Sequence, residues 1–372
     1  MKTARLARIW LTRSFRPFQF VPANDEPPTS DDSATPGLYI HIPFCRTLCE
    51  FCPYCKTVYQ SESADHYGDA LIRELDQVGV RNGGKRNATS LYFGGGTPVL
   101  MLDRFPEILA AVHRNYTLTD GIGTELHPDD LCEETLVRLR DSGVTKLSIG
   151  VQSFRRELLD RLGRRSMPVD AMARALNHTP FESVSFDLIF AIPGQTADML
   201  CEDIDRALDL GANQIAVYPL IHFSFTGTGQ NPSIPPVPEH LRRKLLSTVT
   251  EHSQRRGLVR TSLWTFARPD VPRYSSMVRE NYLGFGTSAA TLTRDRFRIN
   301  TFSVEEYIAR LKEDRSPGSL ELRFTPRQRM VYWLFWEAYT TRVRPDAFER
   351  FFGVPLWRTW KTKLILGRLA GF

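Results

Sequence analysis

From Gly37 onward, short apolar runs rich in β-formers alternate with longer stretches of helical periodicity. The runs are LYIHI (38–42), TSLYF (89–93), GIGTEL (121–126), KLSIGV (146–151), SVSFDLIFAI (183–192) and NQIAVYPL (213–220), each ending in Gly, Pro or polar residues, as strands do. Between them, helical spacing predicts helices over 65–80, 103–115, 129–142 and 198–210. Asp103 and Asp129 are the predicted N-caps of two of these, and Gly143 and Gly211 follow the ends of two. Six consecutive β/α units imply an α/β architecture with a parallel sheet, curved or closed, over residues 37–235.

The flanks read differently. Residues 1–36 form a basic tail and then a linker, because 21–36 (VPANDEPPTSDDSATP) has no periodicity and is rich in Pro and acids. Residues 236–324 hold a cationic helix (239–256), a Trp- and Arg-containing segment (260–282) and the glycine loop GFG (284–286). Over 325–372 three helical stretches, 326–339, 345–352 and 355–369, suggest a small winged-helix-like unit, and the pattern predicts a longer usual polypeptide because a β-hairpin wing would begin where this one stops.

Composition narrows the classes. Hydrophobic residues at 42%, charged residues at 24% and a mean hydropathy of −0.29 are near globular averages, and no apolar run reaches the length of a membrane span. The net charge of +6 is concentrated at the ends: residues 1–20 hold five cations and no anion, and residues 342–372 hold seven cations against Asp346 and Glu349. The body between is mildly acidic, so no nucleic-acid partner and no membrane are expected. The basic, amphipathic start suits either a bacterial N-terminus or an organellar transit segment; the expected compartment is the cytoplasm, with an organellar matrix as the alternative.

Parallel β/α sheets bind ligands beyond the carboxyl ends of their strands. Four of the six cysteines fall there, as Cys45-x3-Cys49-x2-Cys52-x2-Cys55. Thiolates alone suit either a tetrahedral zinc site or an iron–sulfur cluster, and clustering in an enzyme-sized chain points to metal in a reducing compartment. A [4Fe–4S] cube held by three cysteines leaves one iron open to a ligand. Gly94, Gly95 and Gly96 follow the second strand and let backbone approach a small molecule. Glu125, Gln152, Arg164 and Asp187 offer partners for an ammonium, ribose hydroxyls and a carboxylate, the polar features of S-adenosylmethionine. Cys132 and Cys201 read as helix packing residues. Trp264, Phe266, Tyr274 and Tyr282 beside Arg260, Arg268, Arg273 and Arg279 would suit a flat aromatic substrate with carboxylates, or a sheet edge under a solvated basic face.

Together LYIHIPFCRTLCEFC, YFGGGTP, TKLSIGVQSF, DLIFAIPGQT and NYLGFGTSAA resemble the radical S-adenosylmethionine enzymes of the oxygen-independent coproporphyrinogen III oxidase superfamily. The resemblance implies a partial (β/α)6 radical-SAM barrel and a [4Fe–4S] cluster ligated by Cys45, Cys49 and Cys52. It implies one or two molecules of S-adenosylmethionine and a reduced flavodoxin or ferredoxin as electron donor. By motif, Tyr39 and the backbone of Phe51, Gly95, Gly96 and Thr97 hold the first cofactor molecule, while Glu125, Gln152, Arg164 and Asp187 match other contacts. Gln152 lies where two cofactor molecules would meet, and together with Cys55 it is a catalytic candidate.

Two departures bear on the reaction. Cys55 follows Pro53-Tyr54 where coproporphyrinogen oxidases resemble C-x3-C-x2-C-x-C, and RYSSMVRENYLGFG stands where the heme-chaperone branch usually carries Asn-x-x-Tyr-Trp. The expectation is therefore a class C-like methyltransferase, methylating or forming C–C bonds on an aromatic or tetrapyrrole-like small molecule with a second S-adenosylmethionine. The alternatives are porphyrinogen oxidation in heme biosynthesis and heme binding without turnover. Cys55 is left as a catalytic thiol, an auxiliary ligand or a buried small residue.

Overall fold

The computed structural model describes residues 18–28, 35–165, 169–271 and 280–369. At its centre lie β1 (Gly37–Ile42), β2 (Leu91–Gly95), β3 (Ile122–Leu126), β4 (Val144–Gln152), β5 (Ser183–Phe190) and β6 (Gln214–Pro219). They run side by side in chain order, every neighbouring pair parallel. Each corresponds to one of the six apolar runs. The connections carry α1 (Ser61–Arg81), α2 (Phe105–Asn115), α3 (Glu133–Asp141), α4 (Arg156–Arg161), α5 (Val169–His178) and α6 (Ala197–Asp209). This is a mixed α/β fold whose sheet, among the described residues, is open at both edges.

Strand alternation sorts the residues into two faces. Leu38, Ile40 and Ile42 of β1, Leu147, Ile149 and Val151 of β4, and Phe186 and Leu188 of β5 belong to one buried core that also includes Leu71 and Leu75 of α1 and Ile204 of α6. The alternate positions, Tyr39, His41, Tyr92, Glu125, Ser148 and Asp187, fall on the other face. Register pairs Tyr39 with Tyr92, Glu125 with Ser148, and Gly150 with Asp187, so these residues stand at successive levels of one face of the sheet.

Two helix starts differ from expectation. A 3-10 stretch, Pro98–Arg104, occupies the turn where Asp103 was to cap; Arg104 is the N-cap of α2, and the Asp103 carboxylate pairs with Arg138 instead. Asp129 sits inside a one-turn 3-10 helix, Pro128–Asp130, and α3 starts only after Cys132. Proline at the head of each turn favours this tighter geometry. Gly143 (φ +85°) and Gly211 (φ +95°) do follow helix ends in the left-handed conformation that favours glycine.

The sheet extends beyond the six strands on both sides. After α7 (Glu239–Arg255), β7 (Thr265–Ala267) adds antiparallel to β6. The chain then returns to the far side, where β8 (Tyr282–Phe285) lies parallel to β1, followed by antiparallel β9 (Ala290–Leu292), β10 (Arg296–Asn300) and, after α8 (Val304–Lys312), β11 (Gly318–Arg323). Part of the expected linker is strand: Val21 and Pro22 pair with Glu321 and Leu320, and Ala23 N–H donates to Ser319 O at 2.9 Å. A short extended pair containing proline is tolerated at such an edge.

The chain forms two compact units, residues 19–323 and a second unit that includes Phe18 and residues from 324 onward. The second unit holds α9 (Pro326–Tyr339), α10 (Pro345–Phe352) and α11 (Leu356–Leu369). A capping box between Thr325 and Gln328 starts α9. Trp333, Phe348, Leu356 and Trp360 form its own apolar core, while Trp357 is exposed. No helix among the described residues is long and apolar enough to cross a membrane.

Candidate functional site

The glycine shelf at the end of β2 lies directly on side chains of β1 and on the cysteine loop. Gly95 has φ +118°, and a Cβ there would stand 2.5 Å from the His41 imidazole; a Cβ on Gly96 would stand 2.5 Å from Phe44 O and 2.9 Å from Cys45 Sγ. No side chain fits either position. The shelf is fastened by Gly96 N–H to Ile42 O and Thr97 N–H to Phe44 O, both 2.7 Å.

Cys45 ends a two-residue strand, Phe44–Cys45, that pairs with Thr57–Val58, and the loop between carries the other thiols. Tyr59 N–H donates to Cys45 O (2.9 Å), Lys56 Nζ to Cys52 O (2.5 Å), and Arg46 pairs with Asp130. Burial pushes the Cys45 thiol up to about 11, against the Thr97 hydroxyl, while Cys52 and Cys49 raise it further as like charges. Cys52 is raised as well, mainly by burial. Three part-buried thiols near enough to oppose one another's ionisation, with an open glycine shelf beside Cys45, fit an iron–sulfur cluster, whose irons would supply the missing positive charge. Among the described residues, no three His, Cys, Asp or Glu side chains are grouped to hold a single metal ion. Cys55 is engaged elsewhere: Sγ donates to Phe302 O at 3.2 Å, and burial raises its thiol against the Ser288 hydroxyl.

Glu125 and Asp187 are half-buried on the polar face. Gly95 N–H donates to Glu125 Oε2 (2.9 Å) and Tyr92 O–H to Oε1 (3.1 Å); Ser148 Oγ lies 3.0 Å from both oxygens of Asp187. Burial pushes each carboxyl up to about 7, and the Glu125 charge adds to the rise at Asp187. Gln152 ends β4 at φ +69°, a left-handed conformation unusual for a side-chain-bearing residue. A Cβ on Gly150 would meet Gln152 Nε2 at 3.0 Å and Arg164 Nη1 at 4.0 Å, so the two side chains converge there. Arg164 donates to Gly150 O, yet its buried Nε has no hydrogen-bond partner among the described residues. An unpartnered guanidinium N–H on one side and two acceptor carboxyls on the other suit a zwitterionic ligand.

The structure thus brings Tyr39, Gly95, Gly96, Thr97, Glu125 and the cysteine loop together. Gln152 meets Arg164 over Gly150, which pairs with Asp187. Phe51 is half-buried against the apolar cluster that includes Leu158, Leu162 and Ile192, with Arg164 6.0 Å from its ring. Sequence reasoning missed His41, Tyr67 and Ser148. Their signal was period-2 spacing within β1 and β4 for His41 and Ser148, whereas Tyr67 looks like any core tyrosine of α1. Cys132 is exposed at the start of α3 and is not a packing residue. The proposed aromatic and arginine surface is structural where described: Phe266 is fully buried, Trp264 packs on Phe190, and Arg260 donates to Ser262 O and Leu263 O. Arg273, Tyr274 and Arg279 lie outside the described residues.

The profile of the Radical SAM superfamily matches residues 39–207. The chain is 29% identical to the heme chaperone HemW of Bacillus subtilis over 75% of this chain and 76% of that protein. It is 34% identical to the heme chaperone HemW of Lactococcus lactis, over 49% of this chain and 48% of that one. It is 28% identical to the oxygen-independent coproporphyrinogen III oxidase of Paracoccus denitrificans over 90% of this chain and 81% of that enzyme. The solved structure of the coproporphyrinogen III oxidase HemN of Escherichia coli, described as a radical SAM enzyme, shares the fold, with a TM-score of 0.78 at 23% identity over 91% of this chain and 83% of that one. These relatives are named for heme handling and porphyrinogen oxidation, so the two alternatives displace methyl transfer as the leading reading.

Proposed function

We propose that the chain is a radical SAM enzyme, with its cluster and S-adenosylmethionine held in the region 39–207 that the superfamily profile matches, and that it acts on a reduced tetrapyrrole by oxidative decarboxylation of the coproporphyrinogen type. The observation that carries the reading is the polar face itself: a three-thiol loop, a shelf closed to side chains, two under-donated carboxyls and an arginine with a free N–H within one parallel sheet. When bound and reduced, the cluster and S-adenosylmethionine supply a 5′-deoxyadenosyl radical. Cys45, Cys49 and Cys52 hold the cluster. Tyr39 and the backbone of Phe51, Gly95, Gly96 and Thr97 line the first cofactor position, Arg164 receives its carboxylate, and Glu125 and Asp187 receive donor groups. Gln152, held in its strained conformation at the end of β4, spaces the cofactor from what lies above it. Cys55 anchors the loop to Phe302 and takes no part in the chemistry. A reduced flavodoxin or ferredoxin supplies the electron, and heme binding without turnover is the second reading, favoured by the two HemW relatives.

The test is anaerobic reconstitution with iron and sulfide, then dithionite and S-adenosylmethionine with coproporphyrinogen III, beside a Cys45→Ala control. The expected products are 5′-deoxyadenosine and a decarboxylated porphyrinogen, without S-adenosylhomocysteine. Heme bound stoichiometrically with no porphyrinogen turnover would replace the oxidase reading by the second one. An intact reducible cluster yielding no 5′-deoxyadenosine above the control would end the radical-enzyme reading.

A further inference from the structure

His41 is 3% exposed, on the polar face of β1 beneath Gly95. Its Nε2 lies 2.9 Å from Cys55 O, and its Nδ1 lies 3.0 Å from Tyr39 Oη. A carbonyl oxygen only accepts, so Nε2 carries the ring proton. Burial holds the imidazole pKa down at about 4, which leaves the ring neutral and Nδ1 with a bare lone pair. Tyr39 has a single hydroxyl proton, which goes to Nδ1. Burial, followed by the Glu125 charge, keeps that phenol protonated. The Tyr39 ring is stacked on Tyr92 at 6.3 Å and 21°, so the hydroxyl is held in place. With its proton committed, Tyr39 has only lone pairs left to offer a ligand.

We infer that His41 is a positioning residue that fixes Tyr39 as a hydrogen-bond acceptor toward bound S-adenosylmethionine, so that this side of the pocket selects a ligand donor, an ammonium or hydroxyl, over a carboxylate. The inference rests on the reading of Tyr39 as a cofactor contact. It agrees with the distribution of charge around the site, since Glu125 is also an acceptor and the free donor, Arg164 Nε, belongs to the turn after α4. The same imidazole fastens the cysteine loop through Cys55 O, so one ring registers the cluster loop against the ligand side chain.

Two substitutions separate the two bonds. His41→Gln places an amide N–H near the position of Nε2 and loses the acceptor at Nδ1. His41→Asn places a carbonyl oxygen near Nδ1 and loses the reach to Cys55. In reconstituted holoenzyme, S-adenosylmethionine binding is read by calorimetry and by the change in the electron paramagnetic resonance of the reduced cluster, with iron content measured in parallel. His41→Gln should keep its iron and bind S-adenosylmethionine roughly three- to tenfold more weakly, the loss expected for one hydrogen bond. Tyr39→Phe should lose as much, and the double variant no more than either, because both act through one contact. His41→Asn should bind within about twofold of the parent. In 15N-histidine-labelled, cluster-free chain, the His41 ring should show the neutral Nε2–H tautomer; the Nδ1–H tautomer overturns the inference, as do additive losses, unchanged affinity in His41→Gln, or loss of iron in every His41 variant. If the parent holds its cluster but binds no S-adenosylmethionine, the proposed function falls and takes this inference with it. If the parent binds and His41→Gln binds equally, the inference alone falls.

Discussion

Glu125→Gln should stabilise the ligand-free chain at alkaline pH and do little at acid pH. In the folded chain the Glu125 carboxyl is raised from 4.5 to about 7, chiefly by burial, against the pull of the Gly95 N–H. Unfolded, it ionises near 4.5. Between those values the folded state binds more protons than the unfolded state, so stability falls as pH rises through this window and is level above it. At roughly 1.4 kcal/mol per pH unit, the part of this window between pH 5 and 8 amounts to about 2.5 kcal/mol. A glutamine carries no charge to bury. Its oxygen accepts from Gly95 N–H and its amide donates to Tyr92 Oη, which turns its own proton away, so both bonds at 2.9 and 3.1 Å survive. Removing the charge also relaxes Asp187, which Glu125 helps to raise. Urea unfolding of cluster-free, reduced chain by circular dichroism at pH 5, 6, 7 and 8 should show parent and variant diverging by about 2.5 kcal/mol across that range, the variant the more stable at pH 8. Parallel pH profiles would mean that Glu125 ionises as in water, and the argument from its burial would be wrong.

The cysteine loop supplies two further tests and the arginine one. Gly96→Ala should fold at a cost of about 1–3 kcal/mol but bind little iron, because its Cβ would strike Phe44 O and Cys45 Sγ; circular dichroism and iron analysis read the two effects separately. Cys55→Ala should retain the iron content and reduced-cluster spectrum of the parent, since its thiol is bonded to Phe302 O, whereas Cys52→Ala should lose both. Arg164→Lys should keep its iron and bind S-adenosylmethionine roughly tenfold more weakly in calorimetry, an ammonium lacking the second donor that the buried guanidinium Nε provides.

The six parallel strands were legible because each is a run of β-formers set off by turn residues, and register then follows from parallel pairing. The positions at the strand ends, Cys45, Gly95, Gly96, Glu125 and Gln152, were legible for the same reason. What escaped was long-range. Nothing local in NYLGF announces that Tyr282–Phe285 pairs with β1 some 240 residues earlier, and the strand is too short to show a period. Its glycine loop explains the placement: Gly286, at φ +95°, sits where a Cβ would strike Tyr67 Oη and His41 O, and Thr287 N–H donates to Tyr67 Oη at 2.9 Å. Val21–Pro22 escaped because two residues beside a proline-rich stretch carry no pattern, and Asp103 misled because a nearby arginine competed for its carboxylate.

Glu74 shows how a site carboxyl differs from a structural one. Like Glu125 and Asp187, it is pushed up to about 7 by loss of water, and it is the more fully enclosed of the three. Its oxygens, however, take Gly286 N–H at 2.7 Å, Asn300 Nδ2 at 2.7 Å and Tyr307 Oη at 2.6 Å, and the Arg298 charge also favours its ionised form. Those donors come from β10, α8 and the loop after β8, so the carboxyl on α1 fastens the late strands to the outer helix. Asp187 has one hydroxyl donor and Glu125 has a backbone N–H and a phenol. A buried carboxylate offers about four acceptor positions, and leaving them empty costs free energy unless a ligand fills them. By that criterion Glu74 is already satisfied by the fold, while Glu125 and Asp187 retain open acceptor positions, as the proposed role of these two carboxyls toward an ammonium and hydroxyls requires.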